Sequence, residues 1–560
     1  MYIKNFHIKN FRGISELNIE FKKGLNLIIG ENNTGKTALI DALRICIGLG
    51  NERREMFINS DDFYINQDGN KTDSIEFDLF WNLDSDEENG IYYELLGIDD
   101  NKLRIETHYR YSRVIKDGIE KTKFNYWGGT NEGQNIPIEI LEQMSFVYLG
   151  ALRDAERDLR PSRGNRIGQL FTKLIYDADD QKLKAKRLQD LIDSDEEWKG
   201  LIANGKEKIN QHLKKTSIRG SEQIINLDFL PLEYRKIVEG LRLSLPIRKN
   251  VFDISQNGLG YNNLIFTSTV LGDILEKKSQ QPYAYIAILF EEPEAHLHPQ
   301  LQNILLDFFA NLTNQFQIFI TSHSPTISAK AELDDLIALQ NKNDKVEALS
   351  IGQTTLTISD KKLLYRFLDV TKCQLFFAKG IILVEGITEA LLLPIFAQML
   401  GEKYELDKNG IEIVVIGGLS FAPFAKLFNS TDKKLLSRCS LITDGDDKDG
   451  EISVPAQNAL TLQGNNLKVF ISQKTFEYEL FNTTEINSTL IKRIYKQMHP
   501  RTELSDAVDF VNKLRSNKDK ADFSQFLSKT LYSVKSYQNR FTVPKYIVDA
   551  IKWVIEEEDV

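Results

Sequence analysis

Gly30–Thr37, GENNTGKT, fits the pattern G-x-x-x-x-G-K-[ST], and its surroundings decide the fold. Before it, Leu25–Ile29 (LNLII) reads as a short apolar strand; after it, Thr37–Ile47 (TALIDALRICI) has the apolar spacing of a helix. Strand, glycine-rich loop and helix make a phosphate cradle. Main-chain N–H groups from Gly30 through Asn32, Asn33 and Gly35 would wrap the phosphates, Lys36 would reach the terminal ones, and Thr37 would bind Mg²⁺. The expectation is an α/β domain that takes ATP with one magnesium ion.

Three more stretches extend this site. AILFEEPEAHLHP, Ala287–Pro299, is an apolar strand ending in two carboxylates. Glu291 would hold Mg²⁺ through water, and Glu292 would polarise an attacking water. IFITSHSP, Ile318–Pro325, places His323 just past a strand, within reach of a terminal phosphate. SQNGLGYNNL, Ser255–Leu264, is a small turn before a helix, suited to present Ser255 and Gly258 to a phosphate held by another subunit. His296 and His298 read as residues flanking a buried leucine rather than as a metal pair. The arginines between Arg153 and Arg166 read as a solvated, acid-pairing surface rather than a DNA track.

A second constellation begins at IILVEGITE, Ile381–Glu389. An apolar strand ends in Glu385, Gly386 permits a tight turn, and Glu389 falls in the first turn of the next helix. CSLITDGDDKDG, Cys439–Gly450, ends another strand in Asp444, Asp446 and Asp447, and LKVFIS leads to QKTFEYELF with Glu477 and Glu479. Carboxylates at the carboxyl ends of several parallel strands meet in the crevice where open α/β sheets bind ligands. So many carboxylates repel one another unless a divalent cation lies among them, and oxygen donors favour Mg²⁺ or Mn²⁺. Room for two ions suits phosphodiester cleavage. Glu477 and Glu479 are both candidate ligands at this stage.

The chain has 560 residues, which implies two to four domains. Its net charge of -10 argues against a general nucleic-acid coat and leaves room for a local basic groove, for which Ile491–Arg501 with Lys513, Arg515, Lys518 and Lys520 is the candidate. Cys46, Cys373 and Cys439 are too scattered for a disulfide framework or a zinc module. No secretory apolar segment is evident, and the longest apolar run, Ile381–Leu400, carries Glu385 and Glu389, so no membrane partner and a cytoplasmic location are expected. The first residues alternate as half-buried strands do, and strands around an acidic stretch, LDSDEENG, read as flanking a solvated turn. The expected divisions are 1–155 and 246–370 for the two parts of the nucleotide-binding domain, 156–245 for a charged helical insert, and 371–560 for the carboxylate-bearing α/β domain with a helical extension.

The first set of motifs resembles the ABC-type ATPase heads of the SMC, Rad50 and RecF group, which FRGI (Phe11–Ile14) also fits; Glu291 stands where that group usually has aspartate. The order Glu-Gly then Asp-x-Asp looks like a Toprim domain. Together, with FINSDDF, YLGALRDAERDL, LFFAKGIILVEGITEALLLP and TFEYEL, they resemble the OLD (overcoming lysogenisation defect) nucleases over the whole chain. The resemblance implies head dimerisation through the insert, a dimer or tetramer, and ATP-regulated DNA cleavage in defence against phages. It implies Glu385, Glu389, Asp444, Asp446 and Glu477 as ligands of two Mg²⁺ or Mn²⁺ ions, with Lys520 beside the scissile phosphate. It also implies partners such as a UvrD-type helicase, as in Gabija, or a retron reverse transcriptase with its DNA–RNA product. An ATP-dependent sensor or scaffold, and a nuclease acting on RNA such as tRNA, are the alternatives. A topoisomerase lacks room here for its DNA gate.

Overall fold

The computed structural model describes residues 1–50, 56–99, 102–116, 119–150, 159–175, 177–217, 223–247, 250–295, 297–342, 345–368, 372–417, 420–430, 433–446, 451–514 and 516–556. They form two compact units, one of residues 1–146, 287–294 and 299–560, the other of residues 147–286 and 295–298.

The first unit opens with an antiparallel sheet in the order Ile14–Glu20, Tyr2–Phe11, Ser74–Asn82, Lys102–Lys116, Leu96–Asp99, with Ile119–Gly128 also paired to Lys102–Lys116. Ile3, Phe6, Ile8 and Phe11 are fully buried. The step from Ile3 to Phe6 breaks the two-residue period of a strand, and a register shift between Ile3 and Asn5 absorbs the extra residue. The acidic stretch between these strands is not a simple turn. Asp86–Ile91 is a short helix, started by Ser85, whose side chain accepts from the Glu88 N–H, while the Glu88 carboxylate accepts from the Asp84 N–H at 2.8 Å.

In the nucleotide-domain sheet, Lys345–Ser350, Leu336–Lys342, Leu25–Ile29, Gln317–Ser322 and Tyr285–Glu291 follow one another. All are parallel except Lys345–Ser350. Every residue of Leu25–Ile29 and Gln317–Ser322 is buried, which is why these strands read as unbroken apolar runs. The buried Gln317 amide exchanges two 2.8 Å hydrogen bonds with the Ile3 backbone and so ties the two sheets together. The P-loop helix is Lys36–Ile47, one residue longer than expected, because left-handed Gly35 closes the loop immediately before it.

A further parallel sheet in the same unit has the order Ile411–Val415, Gly380–Val384, Arg438–Thr443, Leu467–Ile471. Helices Ile387–Leu400 and Lys545–Ile555 pack on it, and Asn517–Ser533 packs on Ile387–Leu400, with Leu392, Phe396, Phe523, Leu527, Ile547 and Ile551 all fully buried. The fold class is thus α/β: a mixed sheet around the P-loop strand and a later, four-stranded parallel sheet, with a separate and largely helical unit.

The second unit is largely helical, with Arg166–Leu174, Ala178–Ser194, Glu196–Thr216, Tyr234–Glu239 and Leu259–Gln280. Asn165, Asp177 and Asp195 start the first three with side-chain caps. Most of the arginine-rich stretch, residues 151–158, lies outside the described residues, as does His296; Leu297 is buried and His298 exposed. Also outside are Asp447 and Arg515. Cys46, Cys373 and Cys439 are each buried, and none is in a disulfide. Among the described residues no helix is long and apolar enough to cross a membrane.

Candidate functional site

The P-loop is built by its backbone. A Cβ at Gly30 would run into the Leu339 carbonyl oxygen, and Gly30, Asn33 and Gly35 all have positive φ. Asn32, Asn33 and Thr37 are exposed along the loop, while Lys36 is buried, its ammonium donating to the carbonyls of Gly30 at 2.9 Å and Glu31 at 2.5 Å. Burial brings Lys36 down to about 8, and Glu292, Glu294 and Glu31 oppose the shift.

Glu291 closes its strand, buried, and Glu292 follows in the left-handed region with φ 45°. The Glu292 N–H donates to the Thr321 carbonyl at 2.9 Å, and its carboxylate stands 3.3 Å from His323 Nε2. Burial first, and the Lys36 charge second, hold His323 below its ordinary value. A residue not singled out from sequence joins them. Glu294 accepts from Ser322 Oγ and from the His323 N–H, both at 2.8 Å, and so fixes the turn that carries His323. The only sequence signal was a third acid in EEPEAHLHP. FRGI and FINSDDF explain each other. Arg12 donates to Asp62 at 2.8 Å and to Asp41 of the P-loop helix at 2.6 Å, so it ties that loop to the helix. In the second unit Ser255 and Gly258 are exposed, with Ser255 Oγ donating to Asp253 at 2.8 Å and Gly258 at the start of Leu259–Gln280.

The second site lies where the Toprim sheet reverses its order. The chain leaves Gly380–Val384 to add Ile411–Val415 on one side, then returns to add Arg438–Thr443 on the other. Glu385 and Asp444 follow the two strands that flank this switch point. Glu385 Oε1 accepts from the Asp444 N–H at 3.0 Å and from Thr443 Oγ1. Gly386 leaves room for Glu389: a Cβ there would lie 3.2 Å from Glu389 Oε2. Asp444 Oδ1 accepts from the Phe476 N–H at 2.8 Å and from Ser472 Oγ at 3.3 Å. A Cβ at Gly445 would strike the Ser472 carbonyl, so glycine is required for this turn.

Helix Phe476–Asn482 brings in Glu477, 3% exposed, and Lys520 meets it at 2.7 Å. Glu479 accepts from the Gln473 N–H at 2.9 Å. Asp446 is exposed in a left-handed turn with φ 46°, whereas Glu389 and Glu477 are buried and Glu385 and Asp444 half-buried. Burial, then Glu385, Glu389 and Glu477, raise Asp444 to about 8. Burial, then Glu477 and Glu385, raise Glu389 to about 7, with Lys520 opposing. Burial works against the charge of Lys520, but Glu477, Glu389 and Asp444 outweigh it and raise its pKa.

Among the described residues, no three His, Cys, Asp or Glu side chains stand close enough to ligate one ion together. The carboxylates are gathered but not closed, since Thr443 and the Asp444 N–H hold Glu385 and Lys520 holds Glu477. An all-oxygen donor set under mutual repulsion fits a hard divalent cation, whose charge would relieve that repulsion.

A P-loop head joined to a carboxylate-ended parallel sheet defines an ATPase–Toprim enzyme. Residues 376–446 match the family model "Overcoming lysogenization defect protein-like, TOPRIM domain", while residues 142–328 and 5–233 match models for an AAA ATPase domain and an AAA domain. The likeness to the OLD family model lies in residues 376–446. It is 22% identical to "Endonuclease GajA" of Bacillus cereus (strain HuB5-5), over 100% of this chain and 99% of the relative. It is also 22% identical to "OLD nuclease" of Thermus scotoductus, over 74% of this chain and 77% of the relative. Among solved structures, the Pyrococcus furiosus Smc head domain with an extended coiled coil aligns at TM-score 0.37 and 15% identity, covering 66% of this chain and 100% of that one.

Proposed function

We propose that the chain is a divalent-metal-dependent DNA endonuclease, whose Toprim carboxylates cut phosphodiester bonds and whose nucleotide-bound head sets access to them, working in defence against phages. The observation that carries this reading is the gathering of Glu385, Glu389, Asp444, Glu477 and Lys520 at the switch point of the Toprim sheet. A platform that only bound nucleic acid would gain nothing from buried negative charge facing a polyanion. The nuclease names of these relatives support the same reading.

Bound Mg²⁺ or Mn²⁺ ions would stabilise the attacking and leaving oxygens. Asp444 and Asp446 would hold one, and Glu385, Glu389 and Glu477 the other. The Phe476 N–H and Ser472 Oγ fix the direction of Asp444. Lys520, released from Glu477 when that carboxylate turns to an ion, would neutralise charge developing on the scissile phosphate. In the head, Lys36, Thr37 and Glu291 would hold ATP and its magnesium, Glu292 with His323 would orient water, and a second copy of the chain would supply Ser255 and Gly258. In this scheme residues 1–155 and 246–370 form the head, 156–245 the dimerising insert and 371–560 the nuclease domain.

Supercoiled plasmid incubated with Mg²⁺ or Mn²⁺ tests the reading. Wild type should nick or linearise it, and Asp444→Ala should lose at least about 100-fold in rate. Undiminished cutting by a clean Asp444→Ala preparation would sink the proposal, and cutting of tRNA without cutting of plasmid would move the substrate to RNA.

A further inference from the structure

The helix Lys545–Ile555 runs back along the Toprim sheet. Ser440 Oγ donates to the Ala550 carbonyl at 2.8 Å, and the Arg438 guanidinium reaches the carbonyls of Trp553, at 3.0 Å, and Glu556. Ascending strand residues meet descending helix residues, so the helix is antiparallel to Arg438–Thr443. Its first turn therefore lies toward the carboxyl end of that strand, where Asp444 sits. Asn487 fixes the approach to this turn, bonding the Thr542 carbonyl at 2.8 Å and the Thr542 N–H at 3.0 Å.

Tyr546 is in that first turn. Its ring is half-buried, but its hydroxyl is buried and has no hydrogen-bond partner among the described residues. A buried tyrosine hydroxyl ordinarily finds one. Burial pushes the phenol well above its ordinary range, and Asp444, Glu389, Glu479 and Glu477, in that order, push it the same way. It keeps its hydrogen and bonds no acceptor, at the end of the sheet where the carboxylates are gathered but not closed.

We propose that Tyr546 is a positioning residue of the Toprim site, whose hydroxyl donates to the Asp444 carboxylate when the cluster closes on a divalent cation. Groups that orient metal ligands in this way commonly change metal affinity by 10–100-fold when removed. The inference rests on the reading of the cluster as a cation site.

The test is Mn²⁺ binding by calorimetry to the full chain, without nucleotide or nucleic acid, for wild type, Tyr546→Phe and Asp444→Asn, with thermal unfolding of each metal-free protein. The expected result is Mn²⁺ affinity about 10–100-fold weaker in Tyr546→Phe, with its metal-free Tm unchanged or raised, since the variant loses only an unbonded hydroxyl. Affinity within twofold of wild type overturns the inference. So does a weakening that comes with a matching loss of metal-free stability, because the hydroxyl would then serve packing. Failure of the underlying reading looks different: wild type would bind no more Mn²⁺ than Asp444→Asn, and both proposals would fall together.

Discussion

At the scale of single residues, Glu389 and Gly386 show how a short motif carries a site. Glu389 is buried in the first turn of its helix, and Gly386 is in extended backbone that any residue adopts. What glycine supplies here is space, because a Cβ would press on Glu389 Oε2. Gly386→Ala should therefore fold normally, with a Tm close to wild type, and lower metal-dependent cleavage by about 10-fold or more. A loss of stability instead would show that the glycine serves the turn. The motif itself was legible because strand, Glu385, glycine and Glu389 are contiguous. Sequence alone leaves Glu477 and Glu479 equal, since residues two apart on a helix face different ways; in the structure Glu477 meets Lys520 and Glu479 the Gln473 N–H. Glu294 and Ser472 stayed hidden for a related reason: each acts on a partner about thirty residues along the chain.

At the scale of elements, the strands around the P-loop could be read from unbroken apolar runs, and those of the first sheet from alternation. The acidic helix Asp86–Ile91 was misread as a turn because its charge masked a good start, Ser85 followed by acids in the first turn. The outer face of the first sheet carries a network that composition could not indicate. Asp78 accepts from His108 Nδ1 at 2.5 Å and meets His7 Nδ1 at 3.2 Å, linking three strands. The His7 bond to Asp78, opposed by burial, raises His7, while both histidines hold Asp78 below the usual carboxylate range against its burial. A lowered carboxylate stabilises above its unfolded value, about pH 4, and that stability fades as pH falls. A raised histidine stabilises below its unfolded value, about pH 6.5, and that fades as pH rises through the folded one. Asp78→Asn should then cost about 1–3 kcal/mol between about pH 4 and 6.5 and less above it. Chemical denaturation at pH 5 and pH 8 would check this, and an equal cost at both would refute the coupling to His7.

At the scale of the whole molecule, two kinds of chemistry share one chain. In the proposed scheme Lys36, Glu292 and His323 belong to a nucleotide site, and Glu385, Glu389, Asp444 and Glu477 to a site of hydrolysis. The layout was legible because each site is announced by short contiguous motifs on strand ends. The role of Lys520 came only through family resemblance, and the structure sets it against Glu477. If the nucleotide site is a switch rather than the engine, the two sites must separate under mutation.

The most direct measurement is plasmid cleavage with Mn²⁺, with and without ATP, by wild type, Asp444→Ala and Lys36→Ala. The account predicts that Asp444→Ala is inactive in both conditions, and that Lys36→Ala still cuts but at a rate ATP no longer changes. Cleavage by Asp444→Ala at the wild-type rate, or a Lys36→Ala protein that has lost ATP-independent cutting, would contradict it.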